Sequence, residues 1–420
     1  MRPHLVYYPA ITSSPETVPT EAFIYDALRS PRGRATFPAD LYEVKPIELL
    51  AQCLRAFQRR SGRDDLPGEI DDLVIGCNTP AGDQGYNIAR AALLYAGWGQ
   101  ARGGLQINRF NTSGLEAINL AAARITAGYG ETIIAGGLEV MSRVPTYLNS
   151  GPMMNDPATV INSHYIPQGV AADLVASSHG LARETLDRYA LDSHAKAVAA
   201  REAGHFAASL EAITDQNGLP ILQHDSIPDP RLTMEQLATM GARFSEMGLA
   251  GFDEMALHRF PLVDDIDHRH SKGNTSPPAD GCALCLLGNR AAGERLGFKA
   301  QARIRAVAMS AVDATLLTGG VNASNLVLKQ AGLSLSDIDL WEFNESFAAP
   351  AIRFQQRLDL DPAKINVLGG SIALGEPLGA VGCMMLCQIL DELERRDLTL
   401  GSLTIDAGAG LAVSTIIERL

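Results

Sequence analysis

The residues best suited to chemistry gather in Asn108-Arg109-Phe110-Asn111-Thr112-Ser113-Gly114. The apolar run Gly104-Leu105-Gln106-Ile107 leads into them, and Leu115, Ile118, Ala122 and Ile125 follow at helical spacing. That order predicts a strand, a tight turn and a helix start. Asn111 then stands at a helix N-terminus, where free backbone N–H groups suit a reacting oxygen or a carbonyl. The other chemistry-bearing residue types lead less far. Cys282-Ala283-Leu284-Cys285 has the spacing of half a zinc site, but no second pair follows and the run is apolar, so core cysteines are the reading preferred over a metal. Cys383 and Cys387, four apart on a helical pattern, read as packed side chains. His268-Arg269-His270, close in sequence to Asp264, Asp265 and Asp267, offers metal-ligand types, yet reads more simply as a solvated polar turn.

Composition sets the setting of this turn. A chain of 420 residues buries a large core and forms two or more domains, or one large repeated one. Hydrophobic residues at 46% and charged ones at 20% are those of an ordinary globular protein. A net charge of -13 argues against a polyanion-binding surface, so no nucleic-acid partner is expected and a small-molecule role is favoured. Met1 to Pro9 lack the apolar core of a signal peptide, and no run approaches membrane-spanning length; a cytoplasmic protein without membrane insertion is expected. Six cysteines in such a chain fit a reducing compartment.

The positioning elements read in order. Residues 1–20, with Pro9, Ser13, Ser14, Pro15, Thr17, Pro19 and Thr20, have the composition of an extended, poorly ordered tail. Ala22 to Leu28 predicts the first strand, Pro46 towards Arg60 an amphipathic helix, and Ile70 to Gly76 and Thr132 to Gly137 further strands. This alternation implies a mainly parallel sheet with helices on both sides. From 146 to 260 prolines and more polar helices, such as Arg183 to Ala203, mark an inserted domain or lid. The rest echoes the first half: Asp337 to Trp341 parallels Ile70 to Leu73, Ile365-Asn366-Val367 parallels Ile107-Asn108-Arg109, and Thr404 to Gly410 parallels Ile133 to Gly137. The expected units are therefore an extension (1–20), a first half (21–145), the insertion (146–260), a return to the first half (261–300) and a second half (301–420).

The turn Asn108-Arg109-x-x-x-Ser113-Gly114-Leu115-x-Ala117 resembles the nucleophile turn of the thiolase family. Gly136-Gly137-Leu138-Glu139-Val140-Met141-Ser142, Asn344-Glu345-Ser346-Phe347-Ala348 and Gly369-Gly370-Ser371 to Ala380 follow in family order, and Ala22 to Arg34 resembles its first strand and loop. The resemblance runs from Glu21 to Leu420. It implies a thiolase-like duplicated α/β/α core with an inserted loop domain over coenzyme A, and an assembly of two or four copies with a partner subunit as an open possibility. It also implies acyl-CoA thioesters, or acyl groups on a phosphopantetheine carrier, as substrates, with no permanently bound cofactor or metal. The general texture, including Gly251-Phe252-Asp253, is similar to the acyl-CoA acetyltransferases of fatty-acid breakdown.

Matched by position, the resemblance puts Asn111 where thiolases carry the nucleophilic cysteine, Glu376 in place of the activating histidine, and Asp406 in place of the second cysteine. Asn344 matches the asparagine that holds a water, Ser276 a contact to the pantetheine, and Gln168, after Pro167, replaces the usual residue before the loop-domain glycine. A carboxamide is too poor a nucleophile for an acyl-enzyme, so thiolysis and Claisen condensation by the ordinary route are not expected. The resemblance places Glu376 and Asp406 close together, where mutual repulsion would raise one pKa and divide acid from base work. The backbone N–H at Asn111 and the turn at Gly408 remain for a thioester carbonyl. Direct acyl transfer to water, an alcohol, an amine or a carbon acid follows; a catalytically silent subunit and a hard-cation site at Asn111, Glu376 and Asp406 are the alternatives.

Overall fold

A computed structural model describes residues 20–420. The tail expected at 1–20 lies outside them, apart from Thr20. Among the described residues twelve strands follow in chain order: β1 (Phe23–Arg29), β2 (Gly33–Arg34), β3 (Asp72–Gly76), β4 (Leu105–Ile107), β5 (Thr132–Val140), β6 (Ile213–Thr214), β7 (Pro220–Leu222), β8 (Ala279–Gly288), β9 (Ala302–Ala311), β10 (Leu340–Phe343), β11 (Leu400–Asp406) and β12 (Leu411–Arg419). Strands β6 and β7 form a separate hairpin, and β2 adds to β8. The others run in the order β10-β11-β12-β9-β1-β8-β5-β3-β4.

That order contains the duplication. In the first half β4, β3 and β5 pair in parallel and β8 returns antiparallel between β5 and β1. In the second half β10 and β11 pair in parallel and β12 returns antiparallel to β9. Even the place of β4 is echoed, by a parallel bridge from Trp341 to Ile365. The halves meet where β1 and β9 share the two registers Phe23–Arg303 and Ile24–Ala302.

The sheet is mixed, not mainly parallel as the alternation of elements implied. The reason is local: β11 turns directly into β12 through Gly408-Ala409-Gly410, with no crossover helix, and β8 comes back from the insertion. A tight turn of that length can join only antiparallel neighbours.

Two helices fill the layer between the halves, Ser113–Thr126 and Val381–Arg395. Leu115, Ile118, Ala121 and Ile125 of one and Met384, Leu386, Ile389 and Leu393 of the other share one buried cluster with Val74, Ile133, Leu403 and Val413 from both halves. Small residues allow the close approach: a Cβ on Gly114 would meet Gly379 O at 2.5 Å, and one on Gly382 would meet Leu115 N at 2.6 Å. All six cysteines are buried and free, with Cys282 and Cys285 in β8 and Cys383 and Cys387 in the inner helix.

The segment after β5 forms short helices and two longer ones, Gln168–Ser178 and Arg183–Glu202. Val170, Leu174, Phe244 and Ile266 build a small core that also takes in Phe347 from the second half. Val175, Leu186 and Ala190 pack on Ala348, Ala349 and Ile352 of the helix Ala348–Arg357. The insertion is therefore anchored to the chain that directly follows Asn344.

Candidate active site

The turn before the inner helix is locally strained and locally held. Phe110 has φ of +52°, a left-handed conformation that a bulky residue adopts only when its surroundings dictate it. Ser113 Oγ donates to Phe110 O at 2.5 Å, Thr112 Oγ1 to Arg109 O at 2.6 Å, and Phe110 N to Asn108 Oδ1 at 2.9 Å. These bonds turn Asn111 inward, where its residue surface is only 2% exposed.

Asn111 Nδ2 donates to Glu376 Oε1 at 3.1 Å and to the backbone oxygen of Asp406 at 3.1 Å. Glu376 Oε1 also accepts from Asn344 Nδ2 at 2.6 Å and from Ser346 Oγ at 2.9 Å, while Oε2 accepts from Ser276 Oγ at 2.6 Å. Asn344 is steadied in turn by Ser371 Oγ, which donates to its Oδ1 at 2.6 Å. Residues far apart in sequence thus converge on one buried carboxylate.

Asp406 lies at the end of β11 and turns its carboxyl the other way. Its Oδ1 accepts from Gly320 N at 2.6 Å. Burial pushes this carboxyl up from 3.8 to about 7, against the Gly320 N–H and the charge of Arg353, which favour ionisation. The expectation that Glu376 raises it by repulsion is replaced by this cause: Asp406 is lifted by desolvation. The hard-cation alternative also loses its geometry, because Asn111 presents nitrogen to Glu376 and Asp406 points to Gly320, so the three side-chain oxygens do not face one point.

A cavity of about 280 Å³ opens beside Asn111. Phe110, Tyr147, Met153, Met154, Tyr165 and Leu378 supply apolar surface, and Asn78, Asn108, Asn149 and Gln168 supply carboxamides. Asn111 and Gly408, the two positions read from the sequence as carbonyl-binding, both line it. Gln168 sits over Gly408 so closely that a Cβ there would meet its Nε2 at 2.8 Å. Glu376, Asp406 and Ser276 do not line this cavity. Ser276 and Ser346 keep part of their surface in solvent while Glu376 lies beneath them.

Several residues that matter here are not marked out by the sequence. Ser346 and Ser371 stand within the family-like motifs without a role of their own, and Gly320 carries no signal. Glu139 is another: fully buried, it accepts from the backbone N–H of Asn78, Thr79 and Gly379 at 2.8, 3.1 and 2.9 Å and from Gln84 Nε2 at 2.8 Å. It joins two loops that carry the cavity residues Asn78 and Leu378. Burial raises its carboxyl above the ordinary range.

The His268-Arg269-His270 segment is a correction. It is no solvated turn: His270 is fully buried, and its Nδ1 lies 2.7 Å from Asp173 Oδ1. His268 bridges Asp173 Oδ2 at 2.8 Å and Asp253 Oδ2 at 2.9 Å. The partner carboxylates come from the insertion rather than from the neighbouring aspartates.

A duplicated α/β protein with its polar centre on turns between the two halves is the class this fold and site define. Comparison with known proteins narrows it. Family models described as the thiolase N-terminal and C-terminal domains match residues 22–251 and 298–419. A protein named 3-ketoacyl-CoA thiolase from Shewanella loihica is 34% identical over 408 residues, covering 95% of this chain and 99% of its own. One of the same name from Erwinia tasmaniensis is 34% identical over 404 residues, covering 94% and 99%. The crystal structure of the Bacillus anthracis acetyl-CoA acetyltransferase aligns with a TM-score of 0.82 at 30% identity, over 96% of this chain and 99% of that one. The chain belongs to the thiolase family.

Proposed function

We propose that this thiolase-family chain is a non-conventional acyltransferase that takes acyl-CoA thioesters, or carrier-bound acyl groups, and passes the acyl group directly to an acceptor without a cysteine acyl-enzyme. The names of the relatives support acyl-CoA as the thioester. The observation that carries the reading is Asn111 Nδ2 bound at once to the Glu376 carboxylate oxygen Oε1 and to the backbone oxygen of Asp406; on this reading a non-nucleophilic amide stands where thiolases hold a thiolate, with one acid directly beside it. The thioester carbonyl sits at the backbone N–H groups of Asn111 and Gly408, where developing negative charge is stabilised. Ser276 and Gln168 flank the pantetheine. Glu376, positioned by Asn344, takes the acceptor's proton through the hydroxyls that cover it. Asp406, with its carboxyl near 7, is the acid of the pair; that carboxyl faces Gly320 and not the cavity, so on this reading the side chain turns towards the departing thiolate to return a proton at neutral pH. Coenzyme A enters as substrate and leaves as product, and a homo-oligomer is the proposed assembly.

A second reading, a silent subunit that binds CoA esters or partner proteins, is favoured by one observation: Glu376 already accepts from Asn111, Asn344, Ser346 and Ser276 and does not line the cavity. The test is free-thiol release from a panel of acyl-CoAs with and without acceptors. Acceptor-dependent release that is lost in Glu376→Gln supports transfer. Tight binding with no release from any combination supports the silent subunit, and absence of binding overturns both.

A further inference from the structure

The amide of Asn111 has two ends, and only one has a partner. Its Nδ2 faces two acceptors, Glu376 Oε1 and Asp406 O, so exchanging the oxygen and nitrogen would set oxygen against oxygen. The orientation is therefore fixed, and Oδ1 is left without a donor among the described residues although the atom is fully buried. A buried acceptor with no partner is a costly feature, and in a residue that lines a cavity it offers a partner to a ligand's donor that reaches past the wall.

The rest of the wall describes that ligand. Among the described residues no Asp, Glu, Lys, Arg or His lines the cavity; Phe110, Tyr147, Met153, Met154, Tyr165 and Leu378 give it apolar surface, beside the uncharged carboxamides already named. An ammonium would enter without a carboxylate on the wall to meet it, and burying an unpaired charge is strongly unfavourable. A carbon acid has no N–H or O–H to give Oδ1. Water supplies a donor but leaves the apolar wall unused.

We propose that the acceptor is an uncharged alcohol on an apolar body, its hydroxyl donating to Asn111 Oδ1, and that the product is an ester. The inference rests on the acyl-thioester reading above. The alcohol oxygen bonds to the thioester carbonyl carbon and the C–S bond breaks; Glu376 takes the hydroxyl proton as it leaves Asn111 Oδ1, Asp406 gives one to sulfur, and a proton passing between the two acids resets them, giving one ester and one free coenzyme A. Asn111 orients the nucleophile and supplies no atom to the product.

The test incubates the full chain with hexanoyl-CoA and, separately, 1-butanol, butylamine, acetyl-CoA or buffer alone, with products identified by mass spectrometry and hexanoyl-CoA binding measured by calorimetry. Butyl hexanoate formed together with an equal amount of free coenzyme A is the expected result. Asn111→Ala and Asn111→Ser, which lose Oδ1, are expected to lower ester formation about 10-fold or more. An amide, a condensed 3-ketoacyl product or plain hydrolysis as the main outcome overturns the alcohol assignment, as does binding with no ester. Failure of hexanoyl-CoA to bind removes the acyl-thioester reading as well. Product identity is read on the unmodified protein, so the alcohol assignment is tested even where a variant fails to fold.

Discussion

Replacing Asp406 by asparagine removes one buried titrating group and leaves the hydrogen bonds around it in place. Its Oδ1 accepts from Gly320 N at 2.6 Å, and an asparagine oxygen keeps that bond. The backbone oxygen that receives Asn111 Nδ2 is untouched. The folded protein holds this carboxyl at about 7, against 3.8 ordinarily. Between those values the native state binds a proton that the unfolded chain has released, so stability falls as pH rises through this window. Carrying a carboxyl that far corresponds to about 4 kcal/mol, fully incurred above about pH 8 and absent below about pH 3. Asp406→Asn should therefore match the parent more closely in mild acid and surpass it increasingly towards pH 8. Thermal midpoints of both proteins from about pH 5 to about pH 8.5 test this, the variant's advantage widening to about pH 7.5 and then levelling. An advantage independent of pH, or a variant less stable at pH 8, would refute the claim that burial sets this carboxyl.

Three further outcomes follow. Glu376→Gln, which removes the acid–base group on which four hydrogen bonds converge, should lower acyl transfer by about 100-fold or more while acyl-CoA affinity measured by calorimetry changes little. His268 is raised to about 9 by Asp173 and Asp253, and Asp173 is lowered to about 2, so their attraction is fully present between about pH 4 and about pH 6.5, is lost as pH climbs through 9, and is lost again as pH falls through 2. His268→Gln should remove the part of the thermal-midpoint decline that falls in that alkaline window. Gly137→Ala places a Cβ 1.8 Å from Gly379 O, a backbone atom that cannot step aside, so the variant should unfold at a clearly lower temperature or fail to accumulate as soluble protein.

The duplication and the turn at Asn111 were legible because they rest on local pattern. Hydrophobic runs at strand length alternate with helical spacing, and the Leu115, Ile118 and Ile125 stripe faces the shared core where such a stripe must go. Strand direction was less legible, since it depends on whether a helix or the bare turn Gly408-Ala409-Gly410 joins two strands. The hydrogen bonds of the site were beyond reach for a different reason. Ser276 and Glu376 meet across 100 residues, and Asn111 and Asp406 across 295, so no sequence window contains either pair. The same distance misled the reading of His268 and His270: the nearby Asp264 and Asp265 suggested a wet turn, whereas the true partners, Asp173 and Asp253, are brought there by packing of the insertion. Asp406 needed its burial to be seen before its chemistry could be.

The central claim is that acyl groups pass from a thioester to an acceptor without ever being attached to this protein. Rapidly quenched mixtures of the protein with hexanoyl-CoA and 1-butanol, analysed by intact-protein mass spectrometry during turnover, measure it directly. Coenzyme A should appear while the protein mass stays unchanged at every time point. A transient mass increase equal to one hexanoyl group, decaying as product forms, would contradict it.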